Sequence, residues 1–295
     1  MHTQISSTYR GRFAPTPSGP LHFGSLVAAL GSYLDAKSHK GQWIIRIEDA
    51  DRVRSHQQYA ETIIKTMTIH GLVSDEPIVY QSQRLAYYCQ ALHQLSHQLY
   101  ACKCSRRDWH SLAKNGVLGK IYPGICRHSS VNNLHPSDTA IRLKLPDKTI
   151  VFNDRLYGQQ KYHLTKEIGD PILRRRDGDI AYVLAVVVDD YLQKISHIVR
   201  GADLLASTCL QQYLQKQLGY PLPTTLHLPL VFTETGDKLS KQNHAPAIND
   251  STPSENLLFA LKFLGQNTDG LSPNSSIETL LHTAIKRWDI NKIPH

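Results

Sequence analysis

Arg12-Phe13-Ala14-Pro15-Thr16-Pro17-Ser18-Gly19-Pro20-Leu21-His22-Phe23-Gly24-Ser25, running on to Asp35, is the stretch whose reading decides the fold. An apolar start, then prolines and a glycine, then a periodic apolar run predict strand, tight loop and helix. Leu26, Leu30, Tyr33 and Leu34 recur at helical spacing within Ser25 to Asp35. His22 is thereby placed at the mouth of a helix, beside backbone amides that have no helical partner. Such an end attracts phosphate through those donors and through the helix dipole. Gly19, Gly24 and Ser25 are small enough to let a ligand approach the backbone. The local pattern is a phosphate cradle with an imidazole built into it.

The remainder of the chain sets the context for that cradle. Its 295 residues are enough for about two domains, and 41% hydrophobic content supports an ordinary core. Lys and Arg number 33 against 25 acidic residues, a net charge of +8 that suits a polyanionic partner such as nucleic acid. No apolar run approaches the ~20 residues that span a bilayer, and Met1 to Arg12 lacks the apolar core of a signal peptide. Five cysteines give no even disulfide framework, so a cytoplasmic protein is expected, with no membrane partner.

Gln42 to Ile47 predicts a buried strand ending in the acidic cluster Glu48-Asp49-Ala50-Asp51. Acidic groups beyond a strand's carboxyl end lie where open α/β sheets bind ligands. Ser55 with Gln58 predicts a capping box for a helix closed by Gly71. A second helix carries Leu85, Tyr88, Leu92, Leu95 and Leu99 on one face. The alternation of strands and helices predicts an α/β fold with a doubly wound, Rossmann-like parallel sheet.

From Tyr100 to about Ser137 the character changes. Cys102-Lys103-Cys104 and Tyr122-Pro123-Gly124-Ile125-Cys126-Arg127-His128 bring three cysteines into a short loop-rich insert. Such an insert buries little apolar surface, so a tetrahedral zinc is a sensible staple. The fourth ligand stays open between His128, His110 and Tyr122. Ile141, Leu143 and Leu145 then alternate, and Asp177-Gly178 predicts a hairpin turn preceded by Arg174-Arg175-Arg176, a candidate contact for backbone phosphates. Ala181 to Asp190 suits a strand or the start of a helix inside the core. Ile195 to Val199 predicts a strand, Asp203 the cap of a helix that Gly219 terminates, and Leu228 to Phe232 another strand. Two amphipathic helices close the chain, around Leu257, Leu261 and Leu264 and around Ile277, Leu281, Ala284 and Trp288.

Lys238-Leu239-Ser240-Lys241 lies in a glycine-containing loop far from His22 in the chain. Flexible lysines can close over a triphosphate and neutralise charge developing on a leaving pyrophosphate. With both elements on one sheet, the chain resembles the class I aminoacyl-tRNA synthetases. His22-Phe23-Gly24-Ser25 is similar to their HIGH motif, and Lys238-Leu239-Ser240-Lys241-Gln242 to their KMSKS motif. Ser25, Leu239 and Gln242 depart from those patterns without removing a charged group. Arg12 to Gly19, Arg46-Ile47-Glu48-Asp49, Ala185 to Asp190, Ile198 to Asp203 and Lys241-Gln242-Asn243-His244 resemble the glutamyl branch, and within it a shortened paralogue group that acts on tRNA(Asp).

That resemblance implies a ligase. Arg12 and the loop through Phe13, Ala14, Pro15 and Thr16 would bind L-glutamate, with Glu48 on its ammonium group and Tyr182 and Arg200 completing the pocket. An arginine fork matches a carboxylate bidentately, which is the chemistry glutamate demands. His22 and Lys241 would be catalytic, and His22, Gly24, Ser25, Lys238, Ser240 and Lys241 would bind ATP, accompanied by Mg²⁺. Cys102, Cys104, Tyr122 and Cys126 would bind structural Zn²⁺. The implied division is 1–99 and 181–226 for the two halves of the catalytic domain, 100–180 for an inserted zinc-binding, acceptor-type subdomain, and 227–295 for the lysine loop and a helical stem-contact subdomain. About fifty residues follow the lysine loop, so no anticodon-binding domain is expected. The implied reaction is tRNA-independent activation of glutamate by ATP and its transfer to the queuosine at the wobble position of the tRNA(Asp) anticodon stem-loop, by a monomer. The alternatives are a truncated glutamyl enzyme charging a tRNA 3′ end and a non-catalytic tRNA-binding relative.

Overall fold

The structure, a computed structural model, describes residues 9–131, 138–232 and 246–295. In chain order the strands and helices begin with β1 (Arg10–Phe13), α1 (Phe23–Ser38), β2 (Gln42–Ile47), α2 (Gln57–Ile69), β3 (Val79–Tyr80), α3 (Leu85–Gln94) and β4 (Leu99–Cys102). They continue with α4 (Arg106–Trp109), β5 (Asn115–Gly116), β6 (Gly119–Lys120), β7 (Ala140–Leu143), β8 (Thr149–Asp154), β9 (Gly158–His163) and β10 (Ile172–Arg174). Last come α5 (Tyr182–Leu192), β11 (His197–Gly201), α6 (Leu205–Gln217), β12 (Thr224–Leu228), α7 (Pro253–Phe263) and α8 (Ile277–Arg287).

Strands β1, β2 and β3 pair in parallel, as do β11, β12 and β8. Strand β9 closes the far side antiparallel to β8. The two parallel sets meet where Ser196, just before β11, exchanges hydrogen bonds with the backbone of Arg10 in β1. The order β3-β2-β1-β11-β12 therefore reverses direction between β1 and β11, and a crevice opens at the carboxyl ends of such strands. A separate antiparallel sheet, β4-β7-β10, carries Cys102 at the end of β4.

The parallel sheet has two unlike faces, because alternate side chains of a strand point to opposite sides. Trp43, Ile45 and Ile47 of β2 join Leu26, Leu30 and Leu34 of α1 and the apolar stripes of α7 and α8 in one core. Each of those leucines is fully buried, which contributes about 1.5–3 kcal/mol apiece. Gly31 allows α1 to lie close to β12, since a Cβ there would stand 2.6 Å from Leu228. On the other face Arg46 is fully buried against α5.

Several boundaries differ from the sequence expectation. Helix α2 begins at Gln57 and has no Ser55–Gln58 capping box; Ser55 Oγ has no partner. The Pro17 carbonyl takes the His56 amide and holds that residue extended, which shifts the helix start. Helix α3 stops at Gln94, and a 3₁₀ turn hands Leu99 to β4. Leu85, expected on the buried face, is exposed. For Ala181 to Asp190, where strand and helix start were both open, the structure shows a helix from Tyr182. Strand β11 sits two residues later than expected, after a turn in which the Asp190 carbonyl accepts the Ile195 amide. Asp203 does not cap α6, because a 3₁₀ turn over Ala202–Leu204 leads directly into that helix. The last parallel strand is Thr224–Leu228, and Pro229, which has no amide to donate, ends it. The Asp177-Gly178 turn is present, with Gly178 at φ +94°.

Among the described residues no helix is long and apolar enough to cross a membrane.

Asp35 ties distant parts of the fold together. It is fully buried and accepts hydrogen bonds from the Tyr9 hydroxyl, the Arg155 guanidinium and, at 3.0 Å, the Trp288 indole. Asp35→Asn takes away the carboxylate charge that answers the Arg155 guanidinium. The expected loss is about 2–4 kcal/mol, read as a lowered urea midpoint with an unchanged m-value.

Candidate active site

A cavity of about 280 Å³ opens at the reversal point of the sheet. Its walls are the loop after β1, the start of α1, Tyr182 at the start of α5, and the carboxyl ends of β11 and β12. Arg12, Phe13, Ala14, Pro15, Thr16, His22, Gly24, Ser25, Tyr182 and Arg200, all singled out in the sequence, line it together. Glu48 lies outside the lining, 5% exposed, with its backbone amide bonded to the Pro15 carbonyl. Lys238, Ser240 and Lys241 fall outside the described residues.

The α1 end is not the bare amide cluster that the sequence suggested. His22 is its N-cap, and the imidazole Nδ1 accepts the Ser25 amide at 3.3 Å. The ring is thereby oriented at the cavity wall by the helix it starts. Gly24 lies close under that ring: a Cβ there would stand 3.2 Å from it, so the imidazole would have to give by a few tenths of an ångström.

Behind the cavity lies a buried charge network that the sequence reading did not assemble. Asp190 of α5 accepts from Arg12 Nε at 3.1 Å and from Arg46 Nη2 at 2.9 Å. Arg46 Nη2 also reaches Glu48 Oε1 at 3.2 Å, and its Nη1 reaches Gln193 Oε1 at 2.8 Å. Asp189 takes Arg84 Nε at 2.6 Å, the Tyr88 hydroxyl at 2.7 Å and Gln81 Nε2 at 2.8 Å. Burial by itself would raise the Asp190 pKa, but the guanidiniums of Arg12 and Arg46 outweigh it and hold that carboxyl below its usual range. Glu48 goes the other way. Burial outweighs Arg46 and Arg12, and with repulsion from Asp190 it pushes the Glu48 carboxyl up to about 7.

Arg200 stands in a different environment. It is 5% exposed, and its Nε and Nη2 donate to His227 Nε2, Thr208 Oγ1 and Gln211 Oε1 at 3.1, 2.8 and 2.8 Å. Its Nη1 is buried and has no partner. Arg200 lines the cavity, and Nη1 is the guanidinium nitrogen whose donor capacity the protein leaves unused. The pocket therefore offers cationic donors for an anionic side chain and, at the α1 N-terminus, a place for phosphate. The signal for Asp190 was visible only as a pair of carboxylates at the end of an apolar run.

The second candidate site lies beside β4. The sulfur atoms of Cys102, Cys104 and Cys126 all lie within 4.8 Å of one another. Cys104 and Cys126 sulfurs are 3.4 Å apart, too far for a disulfide of about 2.05 Å and close to the roughly 3.8 Å between two thiolates on one tetrahedral zinc. The Tyr122 hydroxyl stands 3.5 Å from Cys102 Sγ and 3.4 Å from Cys104 Sγ. His110 and His128 are exposed, and neither joins the cluster. Burial pushes the Cys104 thiol up, whereas at Cys126 hydrogen bonds from Tyr122 and the Lys103 amide outweigh burial and bring the thiol down to about 7. This donor set fits a thiophilic metal. Of the arginine run, Arg175 is paired with Asp51 and Asp177 at 3.0 and 2.6 Å.

Comparison with known proteins places the chain in a family. The family model described as tRNA synthetases class I (E and Q), catalytic domain, matches residues 8–265. A glutamyl-Q tRNA(Asp) synthetase of Photobacterium profundum is 45% identical over 290 residues, covering 97% of this chain and 90% of that protein. The same-named protein of Verminephrobacter eiseniae is 48% identical over 269 residues, covering 88% and 91%. A solved glutamate tRNA ligase of Elizabethkingia meningosepticum, in complex with its amino acid, superposes with a TM-score of 0.79 at 27% identity, over 97% of this chain and 66% of that one. The chain thus spans just under two thirds of that solved ligase. It belongs to the class I tRNA synthetases of the E and Q type and, within them, to the glutamyl-Q tRNA(Asp) synthetase family.

Proposed function

We propose that this enzyme activates L-glutamate with ATP, without needing tRNA, and transfers the glutamate to the queuosine at the wobble position of tRNA(Asp). The observation that carries the reading is one cavity in which Arg12, Tyr182 and Arg200 face the same space as His22, Gly24 and Ser25. The names of its relatives support the choice of amino acid and of RNA.

In this reading the guanidiniums of Arg12 and Arg200 hold the carboxylates of glutamate, the loop through Phe13, Ala14, Pro15 and Thr16 closes around it, and Glu48 answers its ammonium group. ATP, with Mg²⁺, lies across the α1 N-terminus, where His22, Gly24 and Ser25 meet its phosphates. Lys238, Ser240 and Lys241 complete the nucleotide site. The α-phosphorus is attacked by the glutamate carboxylate and pyrophosphate leaves, a step that needs placement and positive charge more than covalent help. Cys102, Cys104, Tyr122 and Cys126 hold Zn²⁺, which supplies a structural clamp on the insert. Residues 1–99 and 181–226 form the catalytic domain, 100–180 the insert, and 227–295 the lysine-loop and helical subdomain. In this reading the RNA partner is the anticodon stem-loop of tRNA(Asp), whose unstacked base is the kind of feature proteins read in RNA. A cytoplasmic monomer fits this work.

The test is pyrophosphate exchange together with glutamate transfer. Exchange is expected with glutamate in the absence of tRNA, and transfer to queuosine-containing tRNA(Asp) alone. Preference for glutamine, or charging of tRNA(Glu) at its 3′ end, overturns the reading.

Glu48 gives a pH dependence of known sign. Below about 7 it takes up a proton in the free enzyme and can no longer answer the substrate ammonium. kcat/KM for glutamate is therefore expected to fall about tenfold per unit on the acid side, with kcat less affected, and Glu48→Gln to abolish that limb while raising KM. A pH profile of exchange measures it.

Purified protein is expected to carry about one zinc per chain by elemental analysis. Cys126→Ser should lose the metal and make the segment around 103–131 sensitive to limited proteolysis.

A further inference from the structure

We infer that His227, anchored by Asp154, is a positioning residue that fixes the Arg200 guanidinium so that its one unpartnered nitrogen is offered to a substrate carboxylate. The inference rests on the glutamate-activating reading above and assigns the specificity of that pocket to residues outside its wall.

Arg200 and His227 are direct neighbours across the β11–β12 pair, in register. His227 is fully buried and its Nδ1 lies 2.6 Å from Asp154 Oδ2. Asp154 Oδ1 is itself held by the amides of Leu156, Tyr157 and His227, at 3.1, 3.2 and 3.2 Å. A carboxylate so placed accepts the Nδ1 proton, so Nε2 of a neutral ring keeps its lone pair and accepts Arg200 Nε–H at 3.1 Å. Burial lowers the His227 pKa, which agrees with the neutral ring. Thr208 and Gln211 of α6 fix the Nη2 side of the same plane. Two of the three guanidinium nitrogens are thus committed, and Nη1 is left over.

The chemistry of these partners matters as much as their positions. Arg12 and Arg46 share the Asp190 carboxylate, so each already faces a negative charge inside the protein. The side chains that hold Arg200 are neutral: an imidazole, a hydroxyl and an amide. A carboxylate in place of His227 would orient the guanidinium equally well but would cancel the charge that the ligand needs. Interposing a neutral ring between Asp154 and Arg200 passes on direction without placing a carboxylate against the guanidinium.

The experiment is pyrophosphate exchange with His227→Leu, His227→Gln and Thr208→Val, with glutamate and ATP varied separately and thermal midpoints recorded. His227→Leu should raise KM for glutamate about 10–100-fold, leave KM for ATP within about twofold, and lower the preference for glutamate over glutamine. His227→Gln, which keeps an acceptor for Arg200, should recover most of that loss. Thr208→Val removes one acceptor at little cost in volume and should raise the glutamate KM about 3–10-fold. Nitrogen-15 spectra of histidine-labelled wild-type protein should show His227 with its proton on Nδ1. A His227→Leu protein that folds with an unchanged glutamate KM, or whose two KM values rise together, overturns the inference. If that variant does not fold, His227→Gln with no more activity than an Arg200→Ala protein, or a proton found on Nε2, overturns it instead. Absence of glutamate-dependent exchange in the wild type speaks against the functional reading, whereas the proton position in the spectra tests the relay whatever the substrate.

Discussion

Helix α5 is docked on the sheet by charge. Its Asp189 and Asp190 are fully or almost fully buried and meet Arg12 of β1, Arg46 of β2 and Arg84 beside α3. Burying so many charges costs several kcal/mol per ion unless each is paired and hydrogen-bonded. Here nearly every oxygen and nitrogen has a partner, and the neutral groups of Gln81, Tyr88 and Gln193 complete the set. An apolar interface could slide by a residue at modest cost. This one cannot, because a shift would strand a charge in the interior.

The fixed register has a consequence at the cavity. Arg12 is clamped by Asp190 on its Nε and Nη2 edge, Arg200 by His227, Thr208 and Gln211, and Glu48 by Arg46. The groups that would recognise an amino acid are thus set in place before any ligand arrives. Such pre-organisation lowers the cost of binding and sharpens discrimination. The opposite face of the sheet does plainer work, with Trp43, Ile45 and Ile47 packing on α1, α7 and α8 as an ordinary apolar layer. That layer holds the N-terminus of α1, and with it His22, at the cavity wall.

Local pattern made much of this legible. The β1-loop-α1 unit, strand β2, the turn at Gly178 and helices α7 and α8 stand where apolar periodicity and turn residues indicated. The Cys102, Cys104 and Cys126 cluster followed from spacing in a loop-rich segment. Less legible were the places where a neighbour overrides a local rule. Val186 to Val188 left strand and helix start both open, and packing in the core against α6 decides for the helix. Asp203 and Ser55 look like caps in one dimension, but the preceding turns had already satisfied or diverted the amides.

The sequence by itself determined the chemistry available: an imidazole after a proline-rich turn, arginines and carboxylates at strand ends, three thiols in a small insert. It also determined which segments could form strands and helices, because those rules act over a few residues. Only the tertiary structure decided which charge answers which. Arg12 meets Asp190 across 178 positions, and the Asp154 carboxylate reaches Arg200 through His227, 73 positions further on. No local preference encodes such pairs. They are selected when the sheet closes, since in a low-dielectric interior a charge left without its partner costs more than the fold can spare.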